Sequence, residues 1–252
     1  MLELHDMTAS YNRSHPILQQ INLCAKAGEI TVLLGPNGSG KSTLLHTVIG
    51  DMPYTGEICI NGASLRTLSP QKRAQLVSLL PQHLPAPALS VRETVALGLS
   101  PRTARMGKAE WQEVDAQLQR LEISPLTDRA VCTLSGGERQ KVFLAMLLVQ
   151  NTPVLLLDEP TTYMDAAFTA RFYTILKEEC AKGKAVLTVM HDVGEALLLA
   201  DRVACLDATT HSLAFVGTPA EALEQQIPEQ RFGLHRYTAT REGETVSFFR
   251  GV

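Results

Sequence analysis

Short, mostly apolar runs recur along the chain, and several are followed by segments with helical spacing. Runs rich in leucine and β-branched side chains are typical of strands buried inside a sheet. These runs are residues 30–34, 77–80, 154–157 and 185–190. The helical segments include residues 42–49, which end before Gly50, and residues 141–148. Buried strands that alternate with helices predict an α/β fold.

The segments around these runs follow two other patterns. Residues 1–30 alternate apolar and polar positions and carry turn signals, which predicts an antiparallel β portion. Residues 56–62 read as a strand closed by Asn61 and Gly62, a pair that favours a hairpin. Residues 203–206 and 214–216 predict two closing strands, whereas residues 228–252 carry no pattern that indicates a function.

Residues 83–133 are helical in pattern and lie between two β-rich parts, which predicts an inserted helical subdomain. Ser90 and Glu93 have the spacing of a capping box, so a helix is expected to follow through Leu97. A second helix is expected from about residue 107 to 123, with a face that indicates core packing rather than a binding site. Its apolar positions are Trp111, Val114, Leu118 and Leu121.

Composition narrows the possible functions. The 252 residues are 45% hydrophobic and 19% charged, which is ample for a core. The net charge of −3 gives no sign of a nucleic-acid footprint. The five scattered cysteines form no C-x-x-C pair, so they indicate neither a disulfide framework nor a zinc site, and the cytosol is the natural compartment. No signal peptide or membrane-spanning run is recognisable, so any membrane role is expected to come through a partner.

The strongest motif is a G-x-x-x-x-G-K-[ST] loop between a buried strand and a helix, which is the context that a phosphate-binding loop requires. Its glycines let backbone N–H groups turn around a polyanion, and the helix start adds the positive end of its dipole. Lys41 can reach the β- and γ-phosphates, and the Ser42 hydroxyl can ligate Mg²⁺. The loop consists of Gly35, Pro36, Asn37, Gly38, Ser39, Gly40, Lys41, Ser42 and Thr43.

Two carboxylates follow the apolar run at residues 154–157. The carboxyl end of a strand is where α/β sheets bind ligands. Asp158 is therefore placed to hold Mg²⁺, directly or through water, and Glu159 to orient or deprotonate an attacking water. His191 ends another run and could hydrogen-bond a γ-phosphate or that water, although a lone histidine at a strand end is usually structural.

Two further features indicate nucleotide binding only in combination with the phosphate loop and the residues at the strand ends. Ser135, Gly136 and Gly137 lead into an apolar helix and offer a hydroxyl and free N–H groups to an anion, yet Ser-Gly-Gly is also a common helix cap. Tyr11 lies beside a turn and can stack on a nucleobase, and a plain strand tyrosine is the alternative.

In this order, the phosphate loop, residues 134–140 (Leu-Ser-Gly-Gly-Glu-Arg-Gln) and the acidic strand closely resemble the ATP-binding cassette ATPases. The resemblance runs from about residue 2 to 225, and residues 134–140, the family signature, are its specific element. It implies a P-loop NTPase core, with a mostly parallel sheet and helices on both faces, an N-terminal antiparallel β portion and an inserted helical subdomain.

The resemblance also implies a division of the chain and a role for each residue of the ATP site. Residues 1–252 would form one nucleotide-binding domain. Within it, 1–82 and 134–225 form the RecA-like core with its antiparallel portion, 83–133 the helical subdomain and 226–252 a C-terminal extension. Tyr11 would stack on adenine. Asp158 would lie beside the metal, Glu159 would be the catalytic glutamate, and Gln82 would contact Mg²⁺ and the attacking water and sense a membrane partner.

The remaining motif residues imply a second subunit. The resemblance makes His191 a switch histidine, and it makes Ser135, Gly136 and Gly137 the contact to the γ-phosphate of a nucleotide held by another copy. Asp165 matches the loop that crosses the dimer interface. Two copies arranged head to tail would place each signature over the other's ATP, and hydrolysis would let the halves separate.

Several strings look like those of importers of iron-siderophore, haem and cobalamin type: residues 79–82, 90–98 and 160–165. Met164 stands where leucine is usual, a swap that conserves volume. Residues 193–195 depart from the asparagine-containing pattern of that group. On the strength of the three matching strings, we expect the chain to be the peripheral motor subunit of a bacterial metal-chelate importer, at the cytoplasmic face of the membrane.

The expected cofactors are ATP and Mg²⁺. The expected partners are a second cassette subunit, identical or paralogous, integral membrane permease subunits and an external substrate-binding protein, whereas no nucleic acid is expected. Two alternatives remain open: the cassette of an exporter whose spans lie on another chain, and a soluble cassette protein that acts on nucleic acid or ribosomes. The sequence does not name the transported substrate.

Overall fold

The computed structural model describes residues 1–10, 16–241 and 244–251. The strands are β1 (Leu2–Ala9), β2 (Leu18–Ala25), β3 (Ile30–Leu34), β4 (Tyr54–Ile60), β5 (Ala63–Ser64), β6 (Val77–Leu80), β7 (Val154–Asp158), β8 (Ala185–Val189), β9 (Arg202–Leu206), β10 (Leu213–Gly217), β11 (Leu234–Arg241) and β12 (Glu244–Gly251). The helices are α1 (Lys41–Ile49), α2 (Pro70–Ala74), α3 (Val91–Ala96), α4 (Lys108–Arg120), α5 (Gly136–Gln150), α6 (Ala166–Ala181), α7 (Val193–Leu199), α8 (Pro219–Glu224) and α9 (Ile227–Phe232).

The main sheet has the strand order β10-β9-β3-β8-β7-β6. Strands β6, β7, β8, β3 and β9 run parallel, and β10 pairs antiparallel at the edge. Every residue of β3, β7 and β8 is buried, as their unbroken apolar sequences predicted. Because the three strands are parallel neighbours, the residues that follow them meet at one edge of the sheet, and this edge carries the candidate site.

A second, antiparallel sheet with the order β2-β1-β4-β5 precedes and flanks the main one. The β4–β5 hairpin turns at Asn61 and Gly62, whose φ angles are +49° and +79°. Positive φ at both positions is what a two-residue hairpin turn requires. The α/β fold class with an N-terminal antiparallel portion is confirmed.

Two hydrophobic clusters lie on opposite faces of the main sheet. Leu33 and Leu156 join the cluster that contains α1 and the antiparallel sheet, whereas Val32 and Leu157 join the cluster on the other face. This alternation follows from the two-residue period of a strand. The second cluster also holds α3, α4, α5 and α6, so the helical part of the chain packs on the same core as the sheet.

The predicted helices agree with the structure within about three residues at their ends, except that α5 begins at Gly136, five residues before the apolar run 141–148. Val114, Leu118 and Leu121 are fully buried and Trp111 is partly buried, so the predicted helical face is a packing face. The longest described helix, α6, has 16 residues. Among the described residues, no helix is long and apolar enough to cross a membrane.

The C-terminal part forms a hairpin, β11–β12, beyond α9. Leu234 pairs with Gly251, and the rings of Tyr237 and Phe248 stack across the strands at 5.5 Å. The hairpin contacts α7, since a Cβ atom added at Gly194 would lie 3.6 Å from the ring of Phe249.

Candidate functional site

A cavity of about 420 Å³ opens over the loop between β3 and α1. It is lined by Ile17, Asn37, Gly38, Gly40, Lys41, Ser42, Thr43, Gln82, Glu159 and His191. The structure therefore brings together side chains from the phosphate loop and from the ends of β6, β7 and β8. Most of the residues predicted for one nucleotide site meet here.

The first turn of α1 faces this cavity. Gly40 is the N-cap of α1, has a φ of +99° and has no side chain to cap the helix. A Cβ atom at this position would lie 2.8 Å from Leu18 Cδ2, so glycine is required for both backbone and steric reasons. Helix N–H groups without a side-chain cap, together with the positive end of the helix dipole, suit a phosphate group.

Lys41 is 6% exposed, and its ammonium is held against the loop that precedes it. Its Nζ donates to the carbonyl oxygens of Gly35 at 2.7 Å and Pro36 at 3.0 Å. Burial lowers the pKa of Lys41, while the carboxylates of Glu159 and Asp158 act in the opposite direction. A polyanion in the cavity would offer this cation stronger partners than two neutral carbonyl groups.

Asp158 ends β7, directly before the cavity residue Glu159, and is 3% exposed. Burial raises the pKa of Asp158, and the hydrogen bond from the Ser42 hydroxyl opposes that rise. The Oδ1 atom of Asp158 is buried and has no hydrogen-bond partner among the described residues. A carboxylate oxygen without a partner beside a serine hydroxyl is a donor set of hard oxygens, which fits Mg²⁺.

Glu159 follows β7 and contacts residues at the ends of the strands β6 and β8. Its backbone has a φ of +50°, which is uncommon for a residue other than glycine, and its N–H donates to Val189 O at 3.2 Å. One carboxylate oxygen accepts a hydrogen bond from Gln82 Nε2, and the other lies 2.5 Å from His191 Nε2. The side chain of Glu159 is only 10% exposed, whereas that of His191 is 52% exposed. Gln82 and His191 can therefore hold the Glu159 carboxylate in one orientation, facing the cavity.

The signature segment forms the start of α5. Ser135 is the N-cap: its Oγ accepts from Glu138 N at 3.3 Å, and its own N–H donates to Glu138 Oε2 at 2.8 Å. Cβ atoms added at Gly136 and Gly137 would lie 3.2 Å from the ring and 2.8 Å from the carbonyl oxygen of Tyr163. The two glycines thus allow the loop after Glu159 to cross the helix start closely.

The structure does not place the signature at the cavity of its own chain. Among the described residues, neither Ser135, Gly136 and Gly137 nor Asp165 lines it. Asp165 is instead the N-cap of α6, and its Oδ1 accepts from Phe168 N at 2.7 Å. These four predicted residues are therefore separated from the other site residues within one chain.

The outcome differs for Tyr11 and Ile17. Tyr11, predicted to stack on adenine, lies outside the described residues. Ile17 lines the cavity and would contact a Cβ atom at Gly40, yet the sequence did not indicate it. Its position just before β2, a few residues after the turn signals at 12–14 in the sequence, is the only signal that could have pointed to it.

The chain is similar to known proteins in sequence and in fold. Residues 18–162 match the sequence profile of the ABC transporter family. The chain is 39% identical over 196 residues to a hemin import ATP-binding protein of Nocardia farcinica, an alignment that covers 76% of this chain and 68% of that protein. It is 33% identical over 224 residues to the iron(3+)-hydroxamate import ATP-binding protein of Bacillus subtilis, with 86% and 82% of the two chains covered.

A solved structure of a dimeric ATP-binding cassette in a post-hydrolysis state, bound to ADP and phosphate, is also similar. It shares 27% identity and a TM-score of 0.78 with this chain, and the match covers 87% of this chain and 99% of that one. The range that matches the family profile contains the phosphate loop, Gln82, the signature and Glu159, whereas Asp165 and His191 follow it.

Proposed function

The chain belongs to the ABC transporter family of ATP-binding subunits, and we propose from this premise that it is the motor of a bacterial importer for a metal chelate. Subunits of this family are ATPases whose turnover is coupled to transport. The observation that carries the ATPase function is the cavity at which Lys41, Glu159 and His191 meet. The two relatives named above are import proteins for hemin and for an iron(3+)-hydroxamate, which supports import of a chelated metal.

In this proposal the phosphates of ATP bind at the start of α1. The backbone N–H groups of the loop and the Lys41 ammonium contact the β- and γ-phosphates, and Lys41 exchanges its carbonyl partners for phosphate oxygens. Tyr11 is proposed to stack on the adenine. Ser42, Asp158 and Gln82 would hold Mg²⁺, which when bound neutralises charge on the phosphates.

Glu159 is proposed as the general base. Its carboxylate takes a proton from a water molecule whose oxygen forms a bond to the γ-phosphorus, while the bond from that phosphorus to the bridging oxygen breaks and ADP leaves. Gln82 and His191 contact the two carboxylate oxygens, so they fix its direction before the water arrives. His191, which is half exposed, is also proposed to hydrogen-bond the γ-phosphate.

The signature is proposed to serve a nucleotide on a second copy of the chain. Ser135, Gly136 and Gly137 do not line the cavity of their own chain, and they present a helix start that can bind an anion. In a head-to-tail pair each signature would cover the ATP of the other subunit, with Asp165 in the loop that crosses between them. ATP would then hold the pair together, and its hydrolysis would release it.

The proposed organisation of the chain keeps the divisions expected from the sequence. Residues 1–82 and 134–225 are the core with its antiparallel sheet, 83–133 the helical subdomain and 226–252 a C-terminal extension. Subunits of this kind pair with permease subunits and form dimeric cassettes. We place this chain at the cytoplasmic face of the membrane, bound to a permease that an external substrate-binding protein supplies.

Transport in proteoliposomes tests this function. The chain is combined with the permease encoded beside its gene, and ATP is supplied on the cassette side. Hemin and an iron(3+)-hydroxamate are offered separately, on the opposite side in one set of vesicles and on the cassette side in a parallel set. ATP-dependent movement of either chelate toward the cassette side is expected, and vesicles with Glu159→Gln are the control. Movement away from the cassette side would indicate an exporter, and ATPase activity stimulated by DNA or ribosomes without a permease would indicate a non-transport protein.

A further inference from the structure

Helices α6 and α7 both begin within a few residues of the site formed by Glu159 and His191. We consider how these two helices fix the position of His191. Helix α6 follows the loop that leaves Glu159, and α7 begins immediately after His191 with Asp192 as its N-cap. His191 is 52% exposed, so few packing contacts surround its side chain. The place of its imidazole therefore depends on the two elements that flank it, the end of β8 and the start of α7.

Apolar contacts hold α7 against the sheet but leave its direction less defined. Val193, Ala196 and Leu199 are its buried positions. Hydrophobic contact is non-directional, so these residues fix the depth of the helix better than its rotation or its shift along its axis. A hydrogen bond has a preferred length and angle and supplies that missing constraint.

Such a hydrogen bond joins α6 to α7. Tyr173 Oη donates to Glu195 Oε2 at 2.7 Å, and Glu195 N donates to Asp192 Oδ1 at 2.8 Å. Tyr173 and Glu195 lie on the wall of a cavity of about 440 Å³ that also touches Thr161, two residues after Glu159. Burial, reinforced by the Glu195 carboxylate, raises the pKa of Tyr173, so the phenol remains a donor at neutral pH.

We propose that Tyr173 and Glu195 are positioning residues for ATP hydrolysis, which act by holding the first turn of α7 so that His191 meets Glu159. The inference rests on the proposed function, because it requires that His191 and Glu159 act on ATP. It gives a role to Glu195, which lies in the 193–195 segment where the sequence departs from the asparagine-containing pattern. Neither residue lines the nucleotide cavity, so both act through His191.

The test compares variants that break this hydrogen bond from either side. Tyr173→Phe keeps the ring and removes the hydroxyl, Glu195→Ala removes the acceptor, and Glu195→Gln keeps an acceptor oxygen. Tyr237→Phe, on the C-terminal hairpin, is the matched control. We expect Tyr173→Phe and Glu195→Ala each to lower kcat by about three- to tenfold, the effect of one hydrogen bond, with KM for ATP unchanged. Glu195→Gln should retain most of the wild-type kcat.

The double variant Tyr173→Phe/Glu195→Ala should be no slower than either single variant, since both remove the same contact. The imidazole NMR signals of His191, assigned with His191→Gln, should shift in Tyr173→Phe and stay in place in Tyr237→Phe. A Tyr173→Phe protein with the kcat of the Tyr237→Phe control, or single effects that add in the double variant, would overturn this inference alone. A wild-type chain without ATPase activity would overturn the proposed function as well.

Discussion

Glu159 shows how single residues in this site are constrained by both backbone and side chain. Its φ is positive at the point where the chain leaves the buried strand β7, directly before Pro160. Backbone strain of this kind costs about 1–3 kcal/mol and persists only where the surroundings enforce it. Gln82 and His191 supply that enforcement from the ends of β6 and β8.

Replacing Glu159 with glutamine should separate binding from hydrolysis. The amide keeps the size of the side chain and can still hydrogen-bond Gln82, but it cannot accept a proton from water. We expect ATP affinity to change by less than about threefold and turnover to fall by about 100-fold or more, the usual effect of losing a general base. Turnover within tenfold of wild type would refute this role, and Glu224→Gln on the exposed end of α8 is the control.

Lys41→Ala should remove nucleotide binding. The Lys41 ammonium is buried, and its carbonyl partners are neutral. Phosphate oxygens carry negative charge and would therefore bind this ammonium more strongly. Loss of such charge-assisted contacts is expected to weaken ATP binding by at least about 30-fold. Calorimetry of the variant against Lys177→Ala, a change at an exposed lysine of α6, measures this; equal affinities would show that Lys41 does not contact the phosphates.

Most single residues of the site could be predicted because their signals are local. The glycine and lysine spacing from Gly35 to Thr43 and the carboxylates after β7 require no knowledge of distant parts of the chain. The contact between Gln82 and Glu159 spans 77 positions and depends on which strands pair, so the sequence indicated each residue without showing their contact. Ile17 was missed because an apolar residue beside a turn has no distinctive pattern.

At the scale of elements, three capping boxes of the same design start helices with different roles. Ser90 with Glu93, Ser135 with Glu138 and Thr218 with Glu221 share the same reciprocal hydrogen bonds. Only the box at Ser135 is proposed to contact ATP. The chain therefore contains its own control for the difference between capping a helix and binding a phosphate.

Ser135→Ala and Ser90→Ala should destabilise the protein equally and affect activity differently. Each removes one cap and is expected to lower the free energy of unfolding by about 1 kcal/mol. Only Ser135→Ala should also lower ATP turnover, by about tenfold, because it removes a proposed γ-phosphate contact. Urea unfolding and steady-state ATPase assays measure both quantities, and equal turnover in the two variants would contradict the role of Ser135.

A buried carboxylate joins the end of α4 to the segment between α6 and β8. Glu179 on α6 is 2% exposed and pairs with Arg120 at the end of α4, with Lys182, and with Lys184 before β8, at 2.6–2.8 Å. Burial alone would raise the pKa of Glu179, but the hydrogen bonds from Lys182, Lys184 and Arg120 outweigh it and lower the pKa to about 2. The cluster therefore links the helical part of the chain to the sheet.

Glu179→Gln should destabilise the protein at neutral pH by about 2–4 kcal/mol, because it leaves the buried Lys184 and the partly buried Arg120 without their carboxylate. The folded pKa of about 2 lies below the usual 4.5, so the stabilisation is complete above pH 4.5 and is lost as the pH falls toward 2. Unfolding at pH 7, 5 and 3.5 should show the difference from wild type shrinking. Glu178→Gln, which loses an exposed contact to the same Arg120, should cost less than about 1 kcal/mol at every pH.

The sequence predicted the helices and strands better than it predicted the ion pairs of Glu179 that connect them. Apolar runs and capping boxes are read within a few residues, which is why the strands of the sheet and the start of α5 were found. Glu179 and Arg120 are 59 positions apart, and each has neighbours typical of an exposed helix face. Nothing local distinguishes this glutamate from the exposed Glu178 beside it, so its burial could be learned only from the fold.

At the scale of the whole molecule, the two halves of the proposed ATP site lie apart within one chain. The phosphate loop, Gln82, Glu159 and His191 line one cavity, and the signature helix start lies elsewhere, under Tyr163. The sequence suggested this separation through the family resemblance, and the structure agrees with it. If both halves act on one ATP, the active unit needs a second copy of the chain.

Mixing two inactive variants tests this shared site most directly. Lys41→Ala lacks a working phosphate loop but keeps its signature, and Ser135→Arg lacks a working signature but keeps its phosphate loop. In a head-to-tail pair of the two, one of the two sites combines the intact loop with the intact signature. The account predicts that each variant alone is inactive and that the equimolar mixture regains ATP turnover. A mixture as inactive as its two components would contradict it.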